Sequence, residues 1–191
     1  MTSDRTFWRW FVDNAQSLLD DEPTTAMERI QTEVDRDHTG VIVEIGEQDD
    51  GQLLVLSANG DRSVFPTVLR LVAEQPPLDG WSVVAFRPRA AVAMSRIASD
   101  DWELEPAQIR YIAVKNGEKL DLDLYIPKYT SGNESLDGIV LIVLDHTVGE
   151  YDVGMKIGTI GLHALADAPE RAALLAELTA EIDELGSAAR N

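Results

Sequence analysis

The sequence predicts an α+β fold, and three observations carry that prediction. Apolar residues recur at helical spacing at both ends of the chain, runs of period two fill its middle, and an Asn-Gly pair separates two of those runs. At 191 residues the chain suits one domain over 1–191, an antiparallel or mixed sheet of about 6–7 strands with helices packed against it.

Two helices are expected first. Phe7, Phe11, Ala15 and Leu18 form the stripe of one, widened by Trp8 and Leu19, with Ser3 or Asp4 as its cap. The aromatic group of Phe7, Trp8, Trp10 and Phe11 reads as core rather than as a membrane or ligand platform. In the second helix Pro23 suits the first position, Met27, Ile30 and Val34 share a face, and Gly40 stops it. "VIVEIG" (41–46) and "QLLVLSA" (52–58) then read as strands joined by the polar turn "EQDDG". Val64, Val68, Leu71 and Val72 return to helical spacing, ended by Pro76-Pro77, and "WSVVAF" (81–86) predicts an interior strand because both its faces are apolar.

Asn116-Gly117 predicts a hairpin with a two-residue type I′ turn flanked by Lys115 and Glu118. That register sets Ala113 against Leu120, Tyr111 against Leu122 and Ile109 against Leu124, with Arg110 opposite Asp123 as an ion pair. "SGNESLDG" reads as a loop. "IVLIVLD" (139–145) is rich in β-branched residues, which favours a buried strand, although a buried helix fits nearly as well. "KIGTIGLHAL" predicts a last strand weakened by its glycines. The tail predicts one long helix: Asp167 as cap, Pro169 in the first turn, Leu174, Leu175, Leu178, Ile182 and Leu185 as its stripe, and Gly186 at its end.

Sixteen Lys+Arg against thirty-four Asp+Glu give a net charge of −18. Such a surface repels phosphate backbones, which argues against nucleic-acid partners. No apolar run approaches the length of about 18 residues needed to cross a bilayer. The absence of cysteine excludes disulfides and thiolate chemistry. The opening "MTSDRTFWRWFVDNAQ" mixes charge with aromatics and lacks the order of an export signal, so a cytoplasmic setting is expected.

Trp8–Phe11, "SANGDRSVFP" (57–66), "GWSVVAFRPR" (80–89) and "LDHTVGEYD" (144–152) occur in an order that resembles a family of uncharacterised bacterial proteins. That family's pattern is W-x-x-F, then I-S-A-[DN]-G-x4-F-P, then G-W-x3-A-F-R-P-R, then L-D-x2-L-G-E-Y-D. The chain departs from it at Val148, where the pattern has Leu. The resemblance spans residues 7–165 approximately, and it implies a grouping without an established activity, cofactor or set of catalytic residues.

"LDHTVGEYDVG" concentrates the candidate chemistry: Asp145, His146, Glu150 and Asp152. A histidine among three carboxylates has donors for a divalent ion, yet the spacing matches no ligand signature and no metal site is assigned. Thr147, Val148 and Gly149 favour a sharp turn over a continuous helix that would put His146 and Glu150 on one face. Arg87 and Arg89 are the candidate anion-binding residues, two guanidinium forks able to hold a carboxylate or phosphate. The expectation favours internal pairing, with Glu150 and Asp152 as partners. "SANGDRSVFP" reads as a tight turn plus helix cap, and His38 and His163 as locally satisfied. No cofactor is expected. The leading functional expectation is a binding or regulatory module without chemistry of its own, acting on a protein partner or a small anionic ligand. The alternative is a metal-assisted hydrolase built on Asp145, His146, Glu150 and Asp152.

Overall fold

A computed structural model describes residues 3–48, 51–90, 95–98 and 102–188. The protein is α+β, with helices packed on mixed and antiparallel sheets. The chain divides into two compact units, Met1–Arg87 and Pro88–Asn191. Each has its own apolar core.

In the first unit the two expected helices form as α1 (Ser3–Asp20) and α2 (Pro23–Val34). Phe7, Trp8, Phe11 and Leu18 of α1 and Ile30 and Val34 of α2 are buried together, so the aromatic stripe is core as expected. Phe11 meets Trp81 edge-on with ring centroids 5.2 Å apart. Both indole N–H groups find carbonyls: Trp8 donates to Leu71 at 2.8 Å and Trp81 to Ala15 at 3.2 Å. Strands β1 (Ile42–Gln48) and β2 (Gly51–Ser57) pair antiparallel. Asp49 and Asp50 of the expected connecting turn lie outside the described residues. Helix α3 (Phe65–Ala73) then carries the chain over to β3 (Trp81–Ala85), which pairs parallel to β2. The order β1-β2-β3 places β3 at an edge and corrects the expectation of an interior strand. The far side of β2 is already taken by its hairpin partner, so a strand delivered by a crossover helix can only be added at the other edge.

Asp4 does not serve as a free cap. Its carboxylate is 1% exposed and accepts from Arg70, Nε to Oδ2 at 2.6 Å. His38 lies beside it, with Nε2 3.6 Å from Asp4 Oδ1, beyond hydrogen-bond range, and both ring nitrogens lack a hydrogen bond. His38 is therefore not satisfied locally as the sequence suggested. Burial pushes its pKa below the ordinary 6.5, with Asp4 pulling the other way. The unfolded chain thus takes up this proton first, and the stability that neutral His38 contributes is complete above pH 6.5 and lost as pH falls below it. Urea titrations between pH 7 and 5 are expected to show that loss in the wild type. His38→Gln is expected to flatten it, and an unchanged slope would rule His38 out as its source.

The second unit begins with a two-stranded ladder, β4 (Ile97–Ala98) and β5 (Glu103–Leu104). The expected hairpin forms from β6 (Arg110–Asn116) and β7 (Lys119–Ile126). Its register differs from expectation. Asn116 pairs with Lys119, so Gly117-Glu118 makes the turn, and Tyr111 faces Leu124 while Ala113 faces Leu122. Gly117 has φ +64 and Glu118 is not among the positive-φ residues, which is the pattern of a type II′ turn with glycine in first place. Moving the turn by one residue keeps each side chain on its face but separates the expected ion pair. Arg110 instead lies opposite Tyr125 and donates to the Ala172 carbonyl at 2.8 Å, while Asp123 meets His163 at 2.8 Å.

"SGNESLDG" and "IVLIVLD" are corrected together, because Glu134–Val148 is one helix, α4. Asn133 caps it by accepting from the Leu136 N–H at 3.1 Å, and Glu134 and Asp137 suit its first turn. Leu136, Val140, Val143, Leu144 and Val148 point into the core, a helical spacing hidden inside an apolar run. Asn133→Ala is expected to cost about 1 kcal/mol in urea unfolding, and a cost near zero would refute the cap. After Gly149, α5 (Glu150–Lys156) leads into β8 (Ile157–Ala164), parallel to β7. The glycines that weaken β8 on paper have a use: a Cβ at Gly161 would lie 2.6 Å from Asp123 Oδ1 and 2.9 Å from His163 Nε2.

The expected long tail helix is also shorter than predicted. Pro169 sits in a turn closed by Ala172 N–H, and Ala173–Leu174 forms β9 on β6. A single 3-10 turn follows, and α6 runs only over Leu178–Ala188, so Asp167 is not its cap and Gly186 does not end it. Here tertiary pairing overrides helix propensity: the Leu175 N–H donates to Ile109 at 2.9 Å. The sheet order is β8-β7-β6-β9.

Candidate functional site

Gly149 links α4 directly to α5. It is the residue beyond the end of one helix and before the start of the other, with φ +94 and ψ +130. Its N–H donates to Asp145 at 2.7 Å, and its carbonyl accepts from Val153 at 2.9 Å. The candidate acids therefore fall on both sides of a one-residue corner. Asp145 is in the last turn of α4 at 5% exposure, and Glu150 opens α5 at 1%. Neither they nor His146 are free groups. Among the described residues no three histidines or carboxylates are placed to hold a metal ion.

Arg89 closes the corner, and every group it reaches belongs to the same unit. Its Nε donates to the Val148 carbonyl at 2.8 Å, at the C-terminal end of α4, where a cation suits the helix dipole. Nη2 reaches Asp152 on α5 at 3.2 Å. The guanidinium also grips Asp183 on α6 with both nitrogens, Nη2 to Oδ1 at 2.8 Å and Nη1 to Oδ2 at 3.1 Å. One side chain so joins three helices. Lys156 adds a second tie, 3.0 Å from Asp152 and 3.3 Å from the Ile182 carbonyl. The backbone contributes as well: Ala90 N–H donates to the His146 carbonyl at 2.8 Å, and Thr179 Oγ1 to that of Thr147 at 3.3 Å.

The electrostatics follow this geometry. Hydrogen bonding to Asp183 raises the Arg89 pKa, and the reciprocal bond from Arg89 lowers that of Asp183. Because the folded carboxylate titrates below its unfolded value, the pair's contribution is present above the ordinary carboxylate range and fades as pH falls through the folded pKa.

Of the expected arginine pairs, Arg89 with Asp152 is present. Arg87 also has partners on strand and loop residues that the sequence did not point to. It is 3% exposed and held within the first unit, Nε to Glu44 at 2.6 Å and Nη2 to Asn59 at 3.1 Å. Phe86, between β3 and Arg87, takes φ +67 and donates its N–H to the Leu56 carbonyl at 2.9 Å. Arg87 thus joins β1 to the turn of "SANGD". In that turn Asn59 and Gly60 take positive φ, and Asp61 accepts from Ser63 rather than capping α3, whose N-cap is Val64.

Asp183 is the partner that sequence reasoning missed. It lies 94 residues from Arg89 on the polar side of a helix, and only the neighbouring Ile182, buried in the core, hints at which way α6 faces. A second feature was equally hidden. Ala113, Lys115 and Leu120 of the β6–β7 hairpin and Glu181, Glu184 and Leu185 of α6 line an open groove of about 480 Å³. Behind Glu181, Tyr111, buried, donates its hydroxyl to that carboxylate at 2.6 Å, and burial followed by that bond raises the phenol pKa. No protein-family model, no curated protein and no solved structure matches the chain.

Proposed function

We propose that the protein is a cytoplasmic binding or regulatory module without chemistry of its own, working through a protein partner. The observation that carries this reading is the use of Arg89: its donors are spent on Val148, Asp152 and Asp183, so the residues with the most chemical promise build a helix junction. Arg87 is spent in the same way on Glu44 and Asn59. The open groove beside β6 is a surface suited to a partner. The aromatic residues of α1 pack into a folded core rather than forming a membrane platform. No described helix is long and apolar enough to cross a membrane.

A thermal-shift series with Mg²⁺, Mn²⁺, Zn²⁺, inorganic phosphate and citrate tests the reading. Ligands selective for the folded state raise Tm, and no shift is expected from any of these. A metal-dependent rise that His146→Ala abolishes would overturn it in favour of the metal-assisted hydrolase on Asp145, His146, Glu150 and Asp152.

A further inference from the structure

The groove borders a strand whose outer edge is unfinished. Immediately before β6 the Ile109 carbonyl accepts from Leu175, so the odd-numbered residues of β6 direct their backbone groups away from β7 and toward β9. β9 pairs only with Arg110 and Tyr111. The chain then turns away at Pro169–Ala172, and among the described residues no strand continues along Ala113 and Lys115. The edge strand β1 is treated differently. There the Gln31 amide covers the edge, donating to the Val41 carbonyl at 2.9 Å and accepting from the Val43 N–H at 2.8 Å.

Both faces beside the open edge offer apolar contact. Val114 is 55% exposed on the outer face, with Leu174 of β9 at 40%. On the inner face Ala113, Leu120 and Leu185 line the groove, and Glu181 and Glu184 form its acidic wall. The second unit carries nine Lys+Arg against eighteen Asp+Glu. Such a charge disfavours an acidic partner, and it disfavours a second copy of the chain.

We propose that the β6 edge takes up an extended segment of another protein, alternating basic and apolar residues, as an added strand. The backbone groups of Ala113 and Lys115 supply its hydrogen bonds. Inward side chains enter the groove, where apolar ones meet Leu120 and Leu185 and a basic one meets Glu184. Outward side chains lie against Val114. This rests on the binding-module reading, which the metal and anion series tests independently.

The probe is a fluorescein-labelled octapeptide alternating Val and Lys, compared with a Val–Glu octapeptide at 150 mM salt by fluorescence anisotropy. The Val–Lys peptide is expected to bind and the Val–Glu peptide not to. Hydrogen exchange at the Ala113 and Lys115 amides is expected to slow when the Val–Lys peptide binds. Lys115→Pro removes an outward donor without touching the β7 ladder and is expected to weaken binding at least tenfold. Glu184→Lys, on the exposed side of α6, is expected to weaken it as well and guards against misfolding of the proline variant. Binding insensitive to both variants, or unchanged exchange at Ala113 and Lys115, overturns the proposal. Protection of those amides by the protein's own dimerisation, seen by sedimentation without peptide, assigns the edge to a second copy and overturns it too. A peptide failure beside a flat metal and anion series removes this inference alone.

Discussion

Arg89→Ala is expected to lower the stability of the second unit by about 2–3 kcal/mol, the range for losing several charge-assisted hydrogen bonds at a partly buried site. The side chain is 31% exposed, so solvent screens part of its pairing with Asp183, which is itself 60% exposed. Two consequences of the substitution resist screening. The Val148 carbonyl at the end of α4 loses its donor, and Asp152 and Asp183 are left with Lys156 as the cation near both. Arg89→Lys is expected to recover less than half of the loss, because an ammonium cannot bridge three acceptors with a planar fork. Urea unfolding followed by hydrogen exchange in α4–α6 measures this, and a loss below about 0.5 kcal/mol, the level of an ordinary surface change, would contradict it.

Gly149→Ala is expected to cost about 2 kcal/mol, within the range for a side chain forced into a sparsely populated backbone conformation. Space is not the reason. A Cβ built at Gly149 meets Arg89 Cγ at 3.8 Å, an ordinary contact, so the cost comes from φ +94 itself. Asparagine separates this from a common left-handed turn. It tolerates φ and ψ near +57° and +47°, but Gly149 has ψ +130, so Gly149→Asn is expected to lose about as much as the alanine variant. Full tolerance of asparagine in urea unfolding would show that the corner relaxes to an ordinary left-handed turn.

What could be read from the sequence divides along the range of the interactions involved. The period-3.6 stripe of Phe7, Phe11 and Leu18 and the alternation around Asn116-Gly117 are local signals, and they placed α1 and the hairpin. The hairpin turn moved by one residue, and its pairing by two, because Asn-Gly fits either the two turn positions or the position before a glycine-led turn, and only packing chooses. "IVLIVLD" became a helix because Asn133, inside the expected loop "SGNESLDG", caps a helix whose polar first turn looked like loop. Leu174 and Leu175 read as helix until their backbone was claimed by β6, a contact more than sixty residues away in sequence.

The candidate site was legible as a place and not as a set of partners. Gly149 and the acids around it marked a corner, and Arg89 with Asp152 was foreseeable from charge alone. Asp183 and the Val148 carbonyl were not, since one depends on how α6 docks and the other is a backbone atom that no side-chain pattern reveals. The groove beside β6 depends on where β9 ends, which again is tertiary.

The central claim, that "LDHTVGEYD" is a helix corner clasped by Arg89, is tested most directly by a double-mutant cycle on Arg89→Ala and Asp152→Ala. The account predicts a coupling energy of about 1 kcal/mol between two residues in direct contact. Strict additivity of the two single losses would contradict it.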